Sequence, residues 1–448
     1  MKIIIAGAGD LGFHLAKLLS FESHDIYIID KSDEKLNYIS THLDVFTIIG
    51  DATSPQLLID YKIHEADILL AVTDSPEVNF TIAVLGKKLG AKKTIARITN
   101  PEFLKNDVIN FVELGIDSVI SPEELAANEI KMLVKQTAFN DSIEFENGSL
   151  FILGGILSET SPLINLTVQE AKKQFSDFEF ITIAIKSDKT KETIIPRGHT
   201  IFNAFDQVYF STTADSYKKL HKLLGKEHHD IKNIMILGGS RIGEKSARNL
   251  SIENFNIKLI ESNKERAFEL AEKLPNVMVI KGDGRNVDLL NEESIAEMDV
   301  FIAVTGNSET NIISSLVAKS RGVKKTIALV ENMKYIHISQ NIGIDTLINK
   351  KFLAASSIFK HIRKGKVLAL ASLHNIDAEI LEFEVNKDSL ISNKKIKDLA
   401  ITSKAVFGGA VRNGKPLMTF GEFQLLPNDR IIVFCLPEAI LELEKLFQ

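Results

Sequence analysis

The residues best placed to hold a ligand are the glycines of Gly7-Ala8-Gly9-Asp10-Leu11-Gly12, which follow the strand-like run Lys2–Ala6 and open an amphipathic segment. In a G-x-G-x-x-G turn the first glycine makes the bend and the second lets backbone approach a pyrophosphate. The third lets helix and strand pack, and the helix start supplies N–H groups and a positive dipole end. Asp30 closes the next apolar run, 23 residues after Gly7. There a carboxylate accepts both adenosine-ribose hydroxyls and repels a 2′-phosphate, which favours NAD(H) over NADP; ATP or ADP would satisfy the same contacts. The competing reading is a glycine turn that serves packing alone, with Asp30 capping the following helix. Asp10 disfavours extra phosphate charge if it faces the ligand, and is expected to point to solvent or cap its helix.

The same arrangement returns further along the chain. Gly238 and Gly243 match Gly7 and Gly12, Glu261 matches Asp30, and Ser240 stands where the middle glycine would be, followed by Arg241 and Ile242. The Cβ of Ser240 would crowd a pyrophosphate. Its hydroxyl is expected to donate to that group instead, with Arg241 adding positive charge, unless the loop is only a pseudo-site. Asp51-Ala52 and Asp283 follow the third strand of each copy, where they can flank adenine or its ribose. Thr73 and Thr305 end the fourth strand, and Asn79 and Asn311 lie in the next helical segment. Strand-end turns and helix caps are the alternative for all of these. Arg97 faces Leu329 in the other copy, so it reaches a phosphate in the first site only or forms a surface ion pair. No H-E-x-x-H, G-x-S-x-G or Walker lysine loop occurs, and no acid–base pair suggests itself. His228, His229 and Asp230 read as a solvated joint.

These loops must be positioned by strands and helices, and the chain repeats itself in supplying them. IIIAGAGDLG at 3–12 returns as IMILGGSRIG at 234–243, ADILLAVT at 66–73 as MDVFIAVT at 298–305, and KKTIARI at 92–98 as KKTIALV at 324–330. Each copy alternates β-branched runs with amphipathic segments, the pattern of a doubly wound parallel α/β sheet. Strands are expected near 2–6, 26–30, 45–49, 67–72, 94–98 and 117–120, with helices near 10–20, 33–42, 76–90 and 101–114. Leu11, Leu15 and Leu18 should form the buried stripe of the first helix. A Rossmann lobe at 1–121, a linking helix at 122–140, a small α+β lobe at 141–225 and a linker at 226–231 make the first half. The second half has a Rossmann-like lobe at 232–350, a linking helix at 351–366 and a small lobe at 367–448. FDQVYF at 205–210 resembles NDRIIVF at 428–434, each placing an aspartate just before a strand.

Composition agrees with a multidomain globular chain: 45% hydrophobic and 25% charged residues over 448 positions. A net charge of −6 disfavours nucleic-acid binding. The single cysteine, Cys435, rules out a disulfide framework and is expected to be a buried hydrophobe. There is no room for a signal peptide before the first strand and no apolar stretch of about 18 residues, so a cytoplasmic location is expected.

On GAGDLG, GDAT and AVT in the first half, and LGGSRIG, IESN, GDG, FIAVT and AKSRGVKKTIALV in the second, the sequence resembles the TrkA family of Trk-system potassium uptake regulatory subunits over essentially its whole length. The resemblance implies tandem RCK modules, each an N-terminal nucleotide lobe and a C-terminal lobe. It implies NAD(H), or ATP and ADP, bound at the glycine loops. It further implies a homo-oligomer, expected as a tetramer, held on the inner face of the membrane by a Trk- or Ktr-type potassium channel subunit. Carried over by position, Gly7, Gly9, Gly12 and Asp30, supported by Asp51 and Thr73, serve the first lobe; Gly238, Gly243 and Glu261 serve the second. An NAD-dependent oxidoreductase is the alternative, and it would need a general acid or base beside the nicotinamide.

Overall fold

In a computed structural model, residues 1–448 are described except for 21–23, 100–109, 136–138, 140, 146–148, 178, 226–230, 332–342, 363–366, 373–377, 400–402 and 448. The helix expected near 101–114 and the joint at His228, His229 and Asp230 fall largely or wholly outside the described residues. Strands β1 (Lys2–Ala6), β2 (Asp25–Asp30), β3 (Phe46–Ile49), β4 (Ile68–Ala71), β5 (Lys93–Arg97) and β6 (Ser118–Ile120) form one parallel sheet in the order β3-β2-β1-β4-β5-β6. That is the Rossmann order, in which direction reverses between β1 and β4 and leaves a crevice at the strand C-termini.

A second sheet is antiparallel: β7 (Asp141–Phe145), β8 (Leu150–Ile156), β9 (Phe180–Lys186), β10 (Thr193–Ile194) and β11 (Gln207–Thr213), ordered β10-β9-β11-β8-β7. The pattern then repeats. Strands β12 (Asn233–Leu237), β13 (Asn256–Glu261), β14 (Met278–Lys281), β15 (Val300–Ala303), β16 (Lys325–Leu329) and β17 (Thr346–Ile348) take the order β14-β13-β12-β15-β16-β17. The last sheet holds β18 (Val367–Ser372), β19 (Glu379–Glu384), β20 (Ala405–Arg412), β21 (Lys415–Leu417) and β22 (Arg430–Cys435). Its order is β18-β19-β22-β20-β21. Duplication is thus a fact of topology as well as of sequence.

Apart from Lys2 and Asn233, which open β1 and β12, the central strands β1, β4, β12 and β15 are runs of Ile, Leu, Val, Met, Phe and Ala because helices cover both their faces. The first helix, Asp10–Ser20, buries Leu11, Leu15, Ala16 and Leu19. Leu19 therefore completes the stripe rather than Leu18, which is half-buried, because the buried row advances by four residues at a time. Serine and asparagine side chains start the later helices, with Ser32, Ser54, Ser75, Asn263, Asn286 and Asn307 each accepting a backbone N–H.

The chain divides into two compact units: Met1–Asn128 with Ile348–Ile362, and Glu129–Leu347 with Arg363–Gln448. The helix Lys350–Ile362, which follows the second Rossmann lobe in sequence, therefore belongs with the first lobe. Within the second unit, the end of helix Pro122–Lys135 is tied to the second lobe by Lys131 and Lys135, 2.9 and 2.8 Å from Glu253. Lys325, fully buried, donates to the carbonyls of Leu133 (2.9 Å) and Phe139 (2.6 Å). The two antiparallel sheets share a core that draws Ile152, Ile183 and Tyr209 from one and Ile380, Val411 and Phe434 from the other. Asp206 and Asp429, both buried, receive turn N–H groups just before β11 and β22, and Cys435 is buried in the sheet.

Candidate nucleotide sites

Each of the three glycines of the first loop has a different reason to be glycine. Gly7 has φ +115°, and a Cβ there would lie 2.9 Å from the Thr73 nitrogen. A Cβ on Gly12 would lie 1.9 Å from the Gly7 oxygen. Both are required by the protein's own packing. A Cβ on Gly9 would meet nothing within 4 Å, and its φ lies outside the left-handed region. The fold does not need a glycine at this position, whereas a ligand lying against the backbone does. Gly9 is also the residue whose carbonyl takes the first helical N–H, from Phe13 at 2.9 Å. Lacking a side chain, it caps no further amide.

Asp30 is tied to the loop. Its Oδ2 accepts the Ala8 N–H at 2.6 Å and its Oδ1 the Ser32 N–H at 2.9 Å. Each oxygen keeps a second lone pair, so bracing the turn and accepting a sugar hydroxyl are compatible. Glu261 repeats this with the Gly239 N–H at 2.7 Å and the Asn263 N–H at 2.7 Å. Asp51 accepts from the amide and hydroxyl of Thr53 and pairs with Lys31 at 2.9 Å. The Lys31 ammonium, followed by the Thr53 donors, lowers the Asp51 carboxyl to about 2. Asp283 is likewise lowered to about 2 by Arg285, which grips it from 2.7 Å. Ala52 is buried beside Asp51. Ala8, Leu11 and Ile242 are buried as well, so a ligand can meet them through peptide groups alone, while Arg241 is exposed.

Thr73 and Asn79 form a closed bracket. The Asn79 oxygen accepts the Thr73 amide (2.8 Å) and hydroxyl (2.7 Å), while its NH2 donates to the carbonyls of Thr73 (3.0 Å) and Arg97 (2.9 Å). Thr305 and Asn311 repeat it at 2.9, 2.7, 3.1 and 2.8 Å, with the Leu329 carbonyl as fourth partner. Asn79 is buried and its four hydrogen-bonding positions are filled, so it fixes the ends of the fourth and fifth strands. Arg97 reaches the Thr73 carbonyl and Asp74, both at 3.3 Å, at the rim of the crevice.

The second loop differs in one respect that spacing did not disclose. The Ser240 hydroxyl donates to the Val304 carbonyl at 2.7 Å and accepts the Gly243 N–H at 3.2 Å. It caps its own helix, so its hydroxyl hydrogen and one helical amide that the first loop leaves uncapped are both used internally. Beside it lies a cleft of about 520 Å³ lined by Gly238, Gly239, Ser240, Glu261, Asp283 and Thr305, among others. Arg266, missed by sequence reasoning, donates to the Gly239 carbonyl at 2.9 Å and to Glu244 at 2.7 Å, clamping the loop. Lys351, also missed, pairs with Asp10. Neither is near the glycines in sequence, so only the fold could reveal them. Among the described residues no group of His, Cys, Asp and Glu is arranged to hold a metal, and no helix is long and apolar enough to cross a membrane.

Two Rossmann lobes, each followed by a small antiparallel lobe, define the class of tandem RCK proteins. The TrkA-N domain matches residues 3–122 and 234–350, and the TrkA-C domain residues 156–225 and 380–448. A Trk system potassium uptake protein TrkA from Azorhizobium caulinodans is 30% identical, the alignment covering 100% of this chain and 99% of that protein. A TrkA homolog of Methanosarcina mazei is 31% identical over 100% of both. Among solved structures, the GsuK RCK domain matches with TM-score 0.63 at 15% identity over 100% of this chain and 94% of that one. The GsuK channel bound to NAD matches with TM-score 0.64 at 15% identity, covering 78% of that chain. The chain belongs to the TrkA family of Trk system potassium uptake proteins.

Proposed function

We propose that this protein is the nucleotide-sensing regulatory subunit of a Trk-type potassium uptake system. In this reading it works in the cytoplasm as a homo-oligomer, a tetramer, docked beneath a membrane-embedded channel subunit. The observation that carries the reading is Gly9, a glycine demanded by neither backbone conformation nor packing, at a helix start whose neighbouring turn is braced by a carboxylate. Gly9, Leu11 and Gly12 would present peptide N–H groups to a pyrophosphate, while Gly7 and Ala8, whose own N–H groups donate to the Ile29 carbonyl and to Asp30, would shape the turn; Asp30 would take the ribose hydroxyls, and Asp51 would flank the adenosine. NAD(H) fits this set, as do ATP and ADP. Two solved structures of similar fold are of GsuK bound to NAD and of GsuK bound to ADP. Gly238, Gly243, Glu261, Asp283 and Thr305 would form the second site, with one amide fewer to offer.

Gating then follows from differential affinity: a tenfold preference for one arrangement of the assembly is worth about 1.4 kcal/mol per site. The test is a thermal-shift and calorimetry panel of NAD+, NADH, ATP and ADP on the full chain. At least one should raise the melting temperature of the wild type, and Asp30→Asn should weaken that binding. If no adenine nucleotide shifts the melting temperature, the reading is wrong.

A further inference from the structure

The first glycine loop carries an acid where an anionic ligand would sit. Asp10 is the first residue of helix Asp10–Ser20, next to the amides proposed for the pyrophosphate, and its side chain is 75% exposed. A fixed carboxylate there competes with a phosphate for the same helix end. Its charge is met by Lys351, whose ammonium pairs with it. Lys351 comes from more than 300 positions away, on the helix Lys350–Ile362.

That lysine is held in place by its own helix. The Asn349 side chain, 1% exposed, caps the helix by accepting the Lys351 N–H at 2.9 Å and the Phe352 N–H at 3.2 Å. The Phe352 ring meets the edge of His14, centroids 4.5 Å apart, on the helix that begins at Asp10. Burial, then Lys17, lowers His14 to about 4, so the ring is neutral at physiological pH. The backbone of Lys351 is thereby fixed above the loop, and only its flexible stem needs to move. In the other half the corresponding positions are Arg241 in the loop and Glu123 on the linking helix, the same two charges exchanged.

We propose that Lys351 completes the first nucleotide site, leaving Asp10 to pair with a ligand phosphate oxygen. It would make the site select for phosphate charge, preferring diphosphates and dinucleotides over nucleosides. This inference rests on the nucleotide reading of the loop and adds to it a specificity-determining residue contributed by the helix that follows the second lobe.

The experiment is calorimetric titration of the full chain with ADP and with adenosine. It uses wild type, Lys351→Met, Lys351→Arg and Asp10→Asn, each also in a Glu261→Ala background that disables the second cleft. Loss of a charge-assisted contact should weaken ADP binding by about tenfold or more in Lys351→Met, with adenosine changed less than about twofold. Lys351→Arg should restore ADP binding, and Asp10→Asn should tighten it. The proposal is overturned if Lys351→Met binds ADP as wild type does, or if it loses ADP and adenosine in equal measure. If the wild type binds neither, the nucleotide reading itself fails, an outcome separate from a wild type that binds while the variant is unaffected.

Discussion

At the residue scale, the glycine loop separates what the fold demands from what a ligand demands. Gly9→Ala places a methyl in open space, so stability should stay within about 0.5 kcal/mol of wild type or rise slightly as the unfolded chain loses freedom. Nucleotide affinity should fall by about tenfold, because the methyl stands where a pyrophosphate must approach. Gly12→Ala drives a Cβ into the Gly7 carbonyl and should cost several kcal/mol, on the order of an overpacked core site. Chemical denaturation alongside calorimetry separates the two, and equal stability losses would remove the distinction. The carboxylates add a pH dependence. Asp51 has a folded value near 2 against an ordinary 3.8, chiefly through Lys31. Because the folded value is depressed, the pair's stabilising contribution is present above about pH 4 and is lost as pH falls towards 2. The pair is exposed and salt-screened, so the contribution is small. Denaturation of wild type and Lys31→Met between pH 5 and 2 should converge at the acid end.

At the element scale, what matters is how strand ends and helix ends are fastened. The Asn79 and Asn311 brackets hold the fourth and fifth strands of each Rossmann sheet in register with the following helix, at the edge that forms the crevice. The end of helix Pro122–Lys135 is fastened by Lys325, a fully buried ammonium. Burying a lysine is expensive unless donors and acceptors are matched, and here the carbonyls of Leu133 and Phe139 near the helix end accept its hydrogen bonds. Lys325→Met should preserve the apolar stem but strand those carbonyls, costing about 2–5 kcal/mol. It would be measured as a shift in the denaturation midpoint of the full chain. A loss below about 0.5 kcal/mol would show that the carbonyls find other partners.

At the scale of the whole molecule, the two copies have diverged within one architecture. The first loop leaves its helix uncapped at Gly9, while the second caps itself through Ser240. The same topology thus yields a loop with more amides to offer and a loop with fewer, so that, if both bind nucleotide as proposed, the two should differ in affinity. Ligand binding to the native state at about 100 times its dissociation constant would add about 2.7 kcal/mol of stability. On that scale, a chain whose two sites differ should show stability rising with the logarithm of NAD+ or ADP concentration, with a slope that increases once the weaker site begins to fill. One constant slope above the first dissociation constant would mean that one loop alone is used.

The alternation of strand and helix, the duplication, both glycine loops and the acids that end the second strands were all legible in the sequence. Each depends on periodicity or spacing within a few tens of residues, which the local backbone geometry enforces. Tertiary structure alone decided that Ser240 turns inward to Val304, that Asn79 is saturated, that Arg266 clamps Gly239, and that Lys351 meets Asp10. These are contacts between residues far apart in the chain. Their partners are chosen by how the layers pack and by which buried polar groups still need satisfying, neither of which leaves a local pattern to read.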